Sequence, residues 1–447
     1  MIYFKRKVYN ELLNWKKDFS GKYAALLEGP RRVGKSTIAE QFATNEYKSN
    51  IIINCTDLTP AMDECIKLVN NRDLFFLTLQ TITGVELFER ESVIIIDEIQ
   101  RRPQLREAIK YLVKDGRYDY IETGSLLSIK KNVQNIVIPS EEHSINVYPM
   151  DYEEFLWALG DTYSFKAASE IYNKKMSLGN SIGREKIRNF RIYMAVGGMP
   201  QAVEAYIEGK NFFYIDSVKK KILKLYEEDF NRIDPSGTVS KLFKSIPYQL
   251  SEGSRKYSIR KALKAKKTER RENKLSELVN SKTVIPCYKV TAPSVFLSQD
   301  EDVDYFKLYL ADTGLMVSLL FDLNEEKEEN IYAKLLSDKL PANLGFLYEN
   351  AVATAIASSG RNLFFMTWPK ENSTHNYEID FLIRRKTHVQ PIECKSSRID
   401  SHLSLDEFCR KYSSIVESPL IVSQKELKKM GAITNIPFYM LPSILDS

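Results

Sequence analysis

Short, unbroken apolar runs separated by longer segments of helical period dominate the first third of this chain. Tyr23-Ala24-Ala25-Leu26-Leu27 and Val93-Ile94-Ile95-Ile96 are the clearest. Runs of this length without polar alternation are expected of strands covered on both faces, as in a parallel sheet sandwiched by helices. The pattern predicts strands at 23–28, 51–54, 93–96, 119–123 and 144–147, with a helix over residues 1–20 leading into them. Strand–helix alternation of this kind implies an α/β fold. From 161 to 235 the period is helical, broken once at Gly197-Gly198-Met199-Pro200. Residues 236–330 change character. Lys241–Glu252 and Ile259–Lys266 read as the two helices of a helix-turn-helix, with Ser258 capping the second. Leu275–Leu278 adds a further helix, and Val284–Val290 and Tyr305–Leu310 read as the strands of a wing. The run Asn324-Glu325-Glu326-Lys327-Glu328-Glu329-Asn330 reads as an exposed connector, and the remainder as a second α/β domain. The division expected is therefore 1–160, 161–235, 236–330 and 331–447.

Composition narrows the class only a little. A chain of 447 residues holds two to four domains. Hydrophobic residues at 43% and charged residues at 28% describe an ordinary globular protein. The net charge of +5 is compatible with a nucleic-acid partner and does not demand one. No apolar run approaches the roughly 18 residues of a membrane span, so no membrane partner is expected. The segment Met1-Ile2-Tyr3-Phe4-Lys5-Arg6-Lys7 lacks a signal peptide's apolar region, so a cytoplasmic location is expected. Five cysteines without a C-x-x-C pair, and only four histidines, point to reduced thiols and away from zinc. The oligomeric state is left open.

The chemistry is concentrated where strands end. Gly29-Pro30-Arg31-Arg32-Val33-Gly34-Lys35-Ser36 is a complete G-x-x-x-x-G-K-[ST] loop between a predicted strand and a helix starting near Thr37. Its glycines let successive backbone N–H groups turn toward phosphate oxygens, and the helix start adds a positive dipole end. Lys35 would reach the β- and γ-phosphates of ATP, and the Ser36 hydroxyl would ligate Mg²⁺. The run 93–96 ends in Asp97-Glu98, at the strand terminus where ligands bind in open α/β sheets. Asp97 is expected to hold Mg²⁺ and Glu98 to polarise the attacking water. The next strand end, Thr123-Gly124-Ser125, offers Ser125, or in second place Thr123, to the γ-phosphate or the water.

Two later segments carry weaker signals. Between Arg255 and Lys274 there are ten basic residues and two acids, Glu269 and Glu272. Arg260, Lys264 and Lys267 would share a helix face that contacts DNA phosphates. The alternative is a solvated face in an adaptor. Further on, Asp380 and Glu393-x-Lys395 fall on two predicted adjacent strands, with Glu349 on a preceding helix. Period-two alternation puts Glu393 and Lys395 on one face. Carboxylates converging there would bind Mg²⁺ or Mn²⁺, with lysine beside them, as in restriction-endonuclease-like folds. The alternative is such a fold kept as a scaffold.

Taken together, these stretches resemble a family of bacterial and archaeal ATP-binding proteins that join an AAA-type ATPase to a C-terminal domain of unknown function of the DUF4143 kind. The resemblance also rests on Tyr148-Pro149-Met150-Asp151-Tyr152-Glu153-Glu154-Phe155-Leu156, on Gly197-Gly198-Met199-Pro200 and on Phe306–Leu315. It implies a P-loop NTPase parallel sheet with a helical lid, a winged-helix-like middle and a restriction-endonuclease-like end. It implies an ATPase that uses ATP and Mg²⁺ and no settled biological role; the leading expectation is ATP hydrolysis coupled to a nucleic-acid or protein partner through the C-terminal half. An ATP-gated DNA nuclease and a nucleotide-binding adaptor with little turnover are the alternatives. Many members carry a Gly-Arg pair shortly after the third strand end. Here that stretch is Ile138-Pro139-Ser140-Glu141-Glu142-His143, without the arginine, which leaves Arg101 and Arg102 as candidates.

Overall fold

A computed structural model of the chain describes residues 2–124, 140–254, 256–264, 269–324, 328–337, 344–371, 373–395 and 399–445. They form two compact units. The first comprises Met1–Tyr148 with Asn280–Lys282, and the second Pro149–Val279 with Thr283–Ser447.

In the first unit, helix α1 (Val8–Phe19) precedes strand β1 (Ala24–Glu28), and helix α2 (Lys35–Glu46) follows it. Then come β2 (Ser49–Asn54), α3 (Pro60–Lys67), α4 (Arg72–Thr83), β3 (Ser92–Asp97), α5 (Pro103–Asp115), β4 (Asp119–Gly124) and β5 (Glu142–Asn146). All strand pairs are parallel, in the order β2-β3-β4-β1-β5. Every predicted strand is present, its limits shifted by one or two residues. Alternation explains why the runs are unbroken. Ala25, Leu27, Val93, Ile95 and Ile121 pack with α1 and α2. Ala24, Ile94, Ile96 and Tyr120, one position out of phase, pack with α3, α4 and α5. A strand apolar on both faces needs a helix on each.

One charged cluster lies inside this unit. Ile96 pairs with Glu122 on β4, which turns that carboxyl toward α5. Glu122 is fully buried and neither of its oxygens has a hydrogen-bond partner. Arg106 of α5 lies nearby, and its guanidinium is committed to Glu142 by two bonds of 3.0 and 2.8 Å. Burial first, and the neighbouring Glu142 second, push the Glu122 carboxyl well above the usual carboxylate range.

The second unit begins with five helices, at Tyr152–Ala158, Ser164–Asn173, Asn180–Val196, Pro200–Ile207 and Phe212–Ile233. Asp151 and Glu154 form a reciprocal capping box on the first. The break at Gly197-Gly198 is a close chain crossing. A Cβ on Gly198 would lie 2.0 Å from the Met150 carbonyl oxygen, and one on Gly314 would lie 2.4 Å from that of Val196. Asp312 fastens the crossing by accepting from the Gly198 amide at 2.5 Å and the Leu315 amide at 2.7 Å. Buried Lys219 donates to the carbonyls of Ala195 and Gly314 at 2.7 and 3.1 Å. Burial lowers its pKa to about 8. The Gly-Gly-Met-Pro and Ala-Asp-Thr-Gly-Leu strings are therefore packing devices.

An eight-stranded mixed sheet completes the unit, in the order β12-β13-β11-β10-β9-β8-β6-β7. Its strands are β6 (Val284–Val290), β7 (Glu301–Leu310), β8 (Leu363–Pro369), β9 (Asn376–Arg385), β10 (His388–Lys395), β11 (Leu420–Ser423), β12 (Lys428–Met430) and β13 (Ile433–Pro437). The two strands expected as a wing are β6 and β7. They pair with each other, and β6 also pairs with β8 in the sheet of the C-terminal segment. The helix expected over Ile259–Lys266 spans only Ile259–Leu263, because Lys264 turns left-handed at φ 49°. Ser258 caps it as expected, accepting from the Lys261 amide at 3.2 Å. In the charged connector, Asn324 closes one helix and Glu328 opens another, Glu328–Leu336, while residues 325–327 lie outside the described residues.

Candidate functional site: a phosphate-binding loop and a buried carboxylate cluster

The loop 29–34 leaves the end of β1 and closes onto α2. A Cβ on Gly29 would lie 2.2 Å from the Val147 carbonyl oxygen, so only glycine fits there. Gly34 turns left-handed (φ 98°) and opens α2 with no side-chain cap and no acid in its first turn. A helix start without a capping side chain or an acid of its own suits an anion. Arg32 also turns left-handed, at φ 67°, a costly conformation for a residue with a Cβ. The Lys35 ammonium is buried and donates to the carbonyls of Gly29 and Pro30 at 3.0 and 2.9 Å.

Three strand ends meet at this loop. Ser36 Oγ donates to Asp97 Oδ1 at 2.6 Å. Thr123 Oγ1 donates to the same oxygen at 2.5 Å and accepts from the Glu98 amide at 3.2 Å. The Glu98 backbone is left-handed (φ 56°), and its carboxylate accepts from Gln100 Nε2 at 2.5 Å. Glu40, one turn beyond Ser36, has its carboxyl raised by burial and then by the Asp97 charge. Cys55, beyond the end of β2, is pushed up to about 12 by burial and is an inert thiol. Ser125 lies outside the described residues, and Thr123 is the hydroxyl that reaches the acidic pair. Among the arginine candidates, Arg102 pairs with Asp63 at 2.9 Å and Arg101 is exposed. The set fits a magnesium nucleotide, with an open helix end for phosphates and a hydroxyl and a carboxylate 2.6 Å apart for the ion.

Arg6 escaped the sequence reading. Its guanidinium donates to Val33 O at 3.0 Å and to Tyr148 O at 2.7 Å, so the segment before α1 braces the phosphate loop. It sits in an unremarkable basic run, and only the fold discloses the contact.

In the second unit, Glu349, Glu378 and Glu393 all lie close enough to Asp380 to act on its charge. Ile392 pairs with Phe381, so the next positions, Glu393 and Asp380, stand opposite each other on one face. Asp380 Oδ2 accepts from the Cys394 amide at 2.7 Å, and Lys395 pairs with Glu393 at 2.6 Å. Burial first, and then Glu349, hold the Asp380 carboxyl well above its usual range. Three unforeseen residues join them. Lys307 of β7 reaches Glu349 at 3.0 Å and Glu378 at 2.7 Å, and Tyr309 donates to Glu349. Glu378 was legible, being two residues from Asp380 and so on its face. Lys307 and Tyr309 were not, because nothing local ties β7 to the helix Gly345–Ser358. Among the described residues, no group of three or more His, Cys, Asp and Glu is arranged to hold a metal ion.

The basic segment is described in part. Lys256, Arg260, Lys261 and Lys264 are exposed, Lys274 pairs with Glu277 at 3.0 Å, and Arg255 and Lys267 lie outside the described residues.

Residues 21–156 match the family model of an AAA domain, 187–327 a domain of unknown function (DUF8612) and 344–441 a domain of unknown function (DUF4143). Near its start the chain thus carries an AAA-type domain, within which the phosphate loop lies. It carries a DUF4143 domain toward its end. No curated protein matches it. Among solved structures, a Walker-type ATPase of Pyrococcus abyssi is 18% identical, with 71% of this chain and 96% of that one covered and a TM-score of 0.44. The RuvB Holliday junction branch migration motor of Thermotoga maritima is 13% identical over 62% of this chain and 87% of that one, at a TM-score of 0.28. A Drosophila ORC structure bound to DNA is 11% identical over 66% and 88%, at 0.27. No helix among the described residues is long and apolar enough to cross a membrane.

Proposed function

We propose that this protein hydrolyses ATP with Mg²⁺ and couples turnover to a nucleic-acid or protein partner through its C-terminal half. The observation that carries the reading is the Ser36 hydroxyl held on the Asp97 carboxylate beneath an uncapped helix start. Ser36 and Asp97 are the residues that would hold Mg²⁺, whose charge would offset that of the β- and γ-phosphate oxygens. The α2 N–H groups bind phosphate oxygens, and Lys35 exchanges its two loop carbonyls for the β- and γ-phosphates. Thr123 fixes the orientation of Asp97. Glu98 accepts a proton from the attacking water as general base.

A nucleotide-binding adaptor is the second reading. It is favoured by the Gln100 bond that holds the Glu98 carboxylate in place. A turnover assay on purified protein separates the two, because an adaptor binds ATP with negligible phosphate release. Lys35→Ala is expected to abolish binding, and unchanged ATP affinity in calorimetry would remove the phosphate-loop assignment. Exposed Lys256, Arg260, Lys261 and Lys264 support a DNA partner bound through phosphates. Stimulation of turnover by DNA that fades with added salt tests that part.

A further inference from the structure

We infer that Lys307 is the resident cation of the C-terminal carboxylate cluster, in place of a divalent metal. The restriction-endonuclease-like reading calls for Mg²⁺ or Mn²⁺ among Glu349, Asp380 and Glu393, and the side chains do not fit that requirement. The Lys307 ammonium bridges Glu349 and Glu378 at 3.0 and 2.7 Å, the spacing of charge-assisted hydrogen bonds. A metal would need oxygens at about 2.0–2.6 Å in the same space.

Nor is the lysine free to withdraw. It is 5% exposed, and its ammonium lies 5.2 Å from the centre of the Phe365 ring. The oxygen of Glu349 that it contacts also accepts from Tyr309, so this ligand atom is taken twice. Asp380 is committed to the Cys394 amide, and Glu393 to Lys395. Each carboxylate of the expected set thus has a donor from the protein itself.

The source of the lysine gives the arrangement its meaning. Lys307 and Tyr309 come from β7, within the segment matching DUF8612, whereas Glu349 and Glu378 come from the segment matching DUF4143. The cluster is a buried ionic joint that fixes β7 to the helix Gly345–Ser358 and to β9. This inference is independent of the ATPase reading.

Manganese titration of the nucleotide-free full chain, followed by electron paramagnetic resonance and by thermal unfolding, tests it. The wild type is expected to show no saturable site that depends on Asp380. One Mn²⁺ per chain that is lost in Asp380→Asn and kept in Asp97→Asn would overturn the inference. In Lys307→Met the carboxylates lose their counter-ion. Mn²⁺ at about one hundred times its dissociation constant should then raise the unfolding midpoint by roughly 5–10 °C. A soluble Lys307→Met protein with no such rise, or an equal rise in the wild type that Asp380→Asn abolishes, would also overturn it. Should Lys307→Met fail to fold, the wild-type and Asp380→Asn titrations decide alone.

Discussion

Replacing Glu122 by glutamine should make the first unit more stable at neutral pH and leave it nearly unchanged in mild acid. Glu122 is fully buried, with no hydrogen bond to either oxygen. The charged groups that act on it are Arg106 on α5 and Glu142 on β5, with the Cys55 thiol nearby, and Glu28 at the end of β1 acts on Arg106. The one cation among them is held bidentately by Glu142. Ionising Glu122 would therefore bury an uncompensated charge, and the folded protein keeps the proton instead. The unfolded chain releases that proton near 4.5. Above this value the folded state binds more protons than the unfolded one, so stability falls as pH rises, until the folded-state pKa is reached. Between the two values the slope approaches about 1.4 kcal/mol per pH unit. Glutamine carries no proton to lose and should not show this decline. Trp15, buried in the first unit, reports its unfolding if Trp157 and Trp368 are first changed to phenylalanine. Urea denaturation of this background with and without Glu122→Gln, between pH 5 and 8, gives the difference directly. A difference that stays constant across the range would mean that Glu122 is ionised in the folded protein, and the reasoning would fail.

Three further outcomes are expected. Glu98→Gln should keep ATP affinity and slow hydrolysis by about 10²–10⁴-fold, the usual contribution of a general base; wild-type phosphate release would move that role to another residue. Arg6→Ala removes two guanidinium–carbonyl bonds from the phosphate loop. It should weaken ATP binding roughly tenfold, as expected for a bond to a charged donor, and unchanged affinity in calorimetry would show that the brace is dispensable. Gly198→Ala places a methyl 2.0 Å from a backbone oxygen, which cannot move as a side-chain tip would. Its thermal midpoint should fall by several degrees, consistent with overpacking costs of about 1–3 kcal/mol.

The first unit was largely legible because its signals are local. A strand buried on both faces announces itself as an apolar run, and the phosphate loop needs its glycines within one turn of chain. What escaped depends on residues distant in sequence. Arg6 reaches Val33 across 27 positions and Lys307 reaches Glu349 across 42, with no local pattern marking either. Asp380 and Glu393 were found because a short turn joins their strands, whereas the strand that supplies their neighbouring cation enters the sheet from far upstream. The basic face was read too simply. A five-residue helix ending in a left-handed Lys264 does not carry Arg260 and Lys264 on one continuous surface.

The strand order has a consequence for how this chain can be divided. Family boundaries suggest separable modules, one ending at 327 and another starting at 344. The sheet does not respect that seam, because β8 lies between β6 from one segment and β9 from the other. Truncation at the seam would strip β8 of its parallel neighbour and open a hydrogen-bonding edge lined by Leu363, Phe364 and Phe365. An unpaired apolar edge of that kind recruits other chains. The DUF4143 segment expressed alone should therefore aggregate, whereas a fragment that begins before β6 keeps every strand of the sheet paired as in the whole chain.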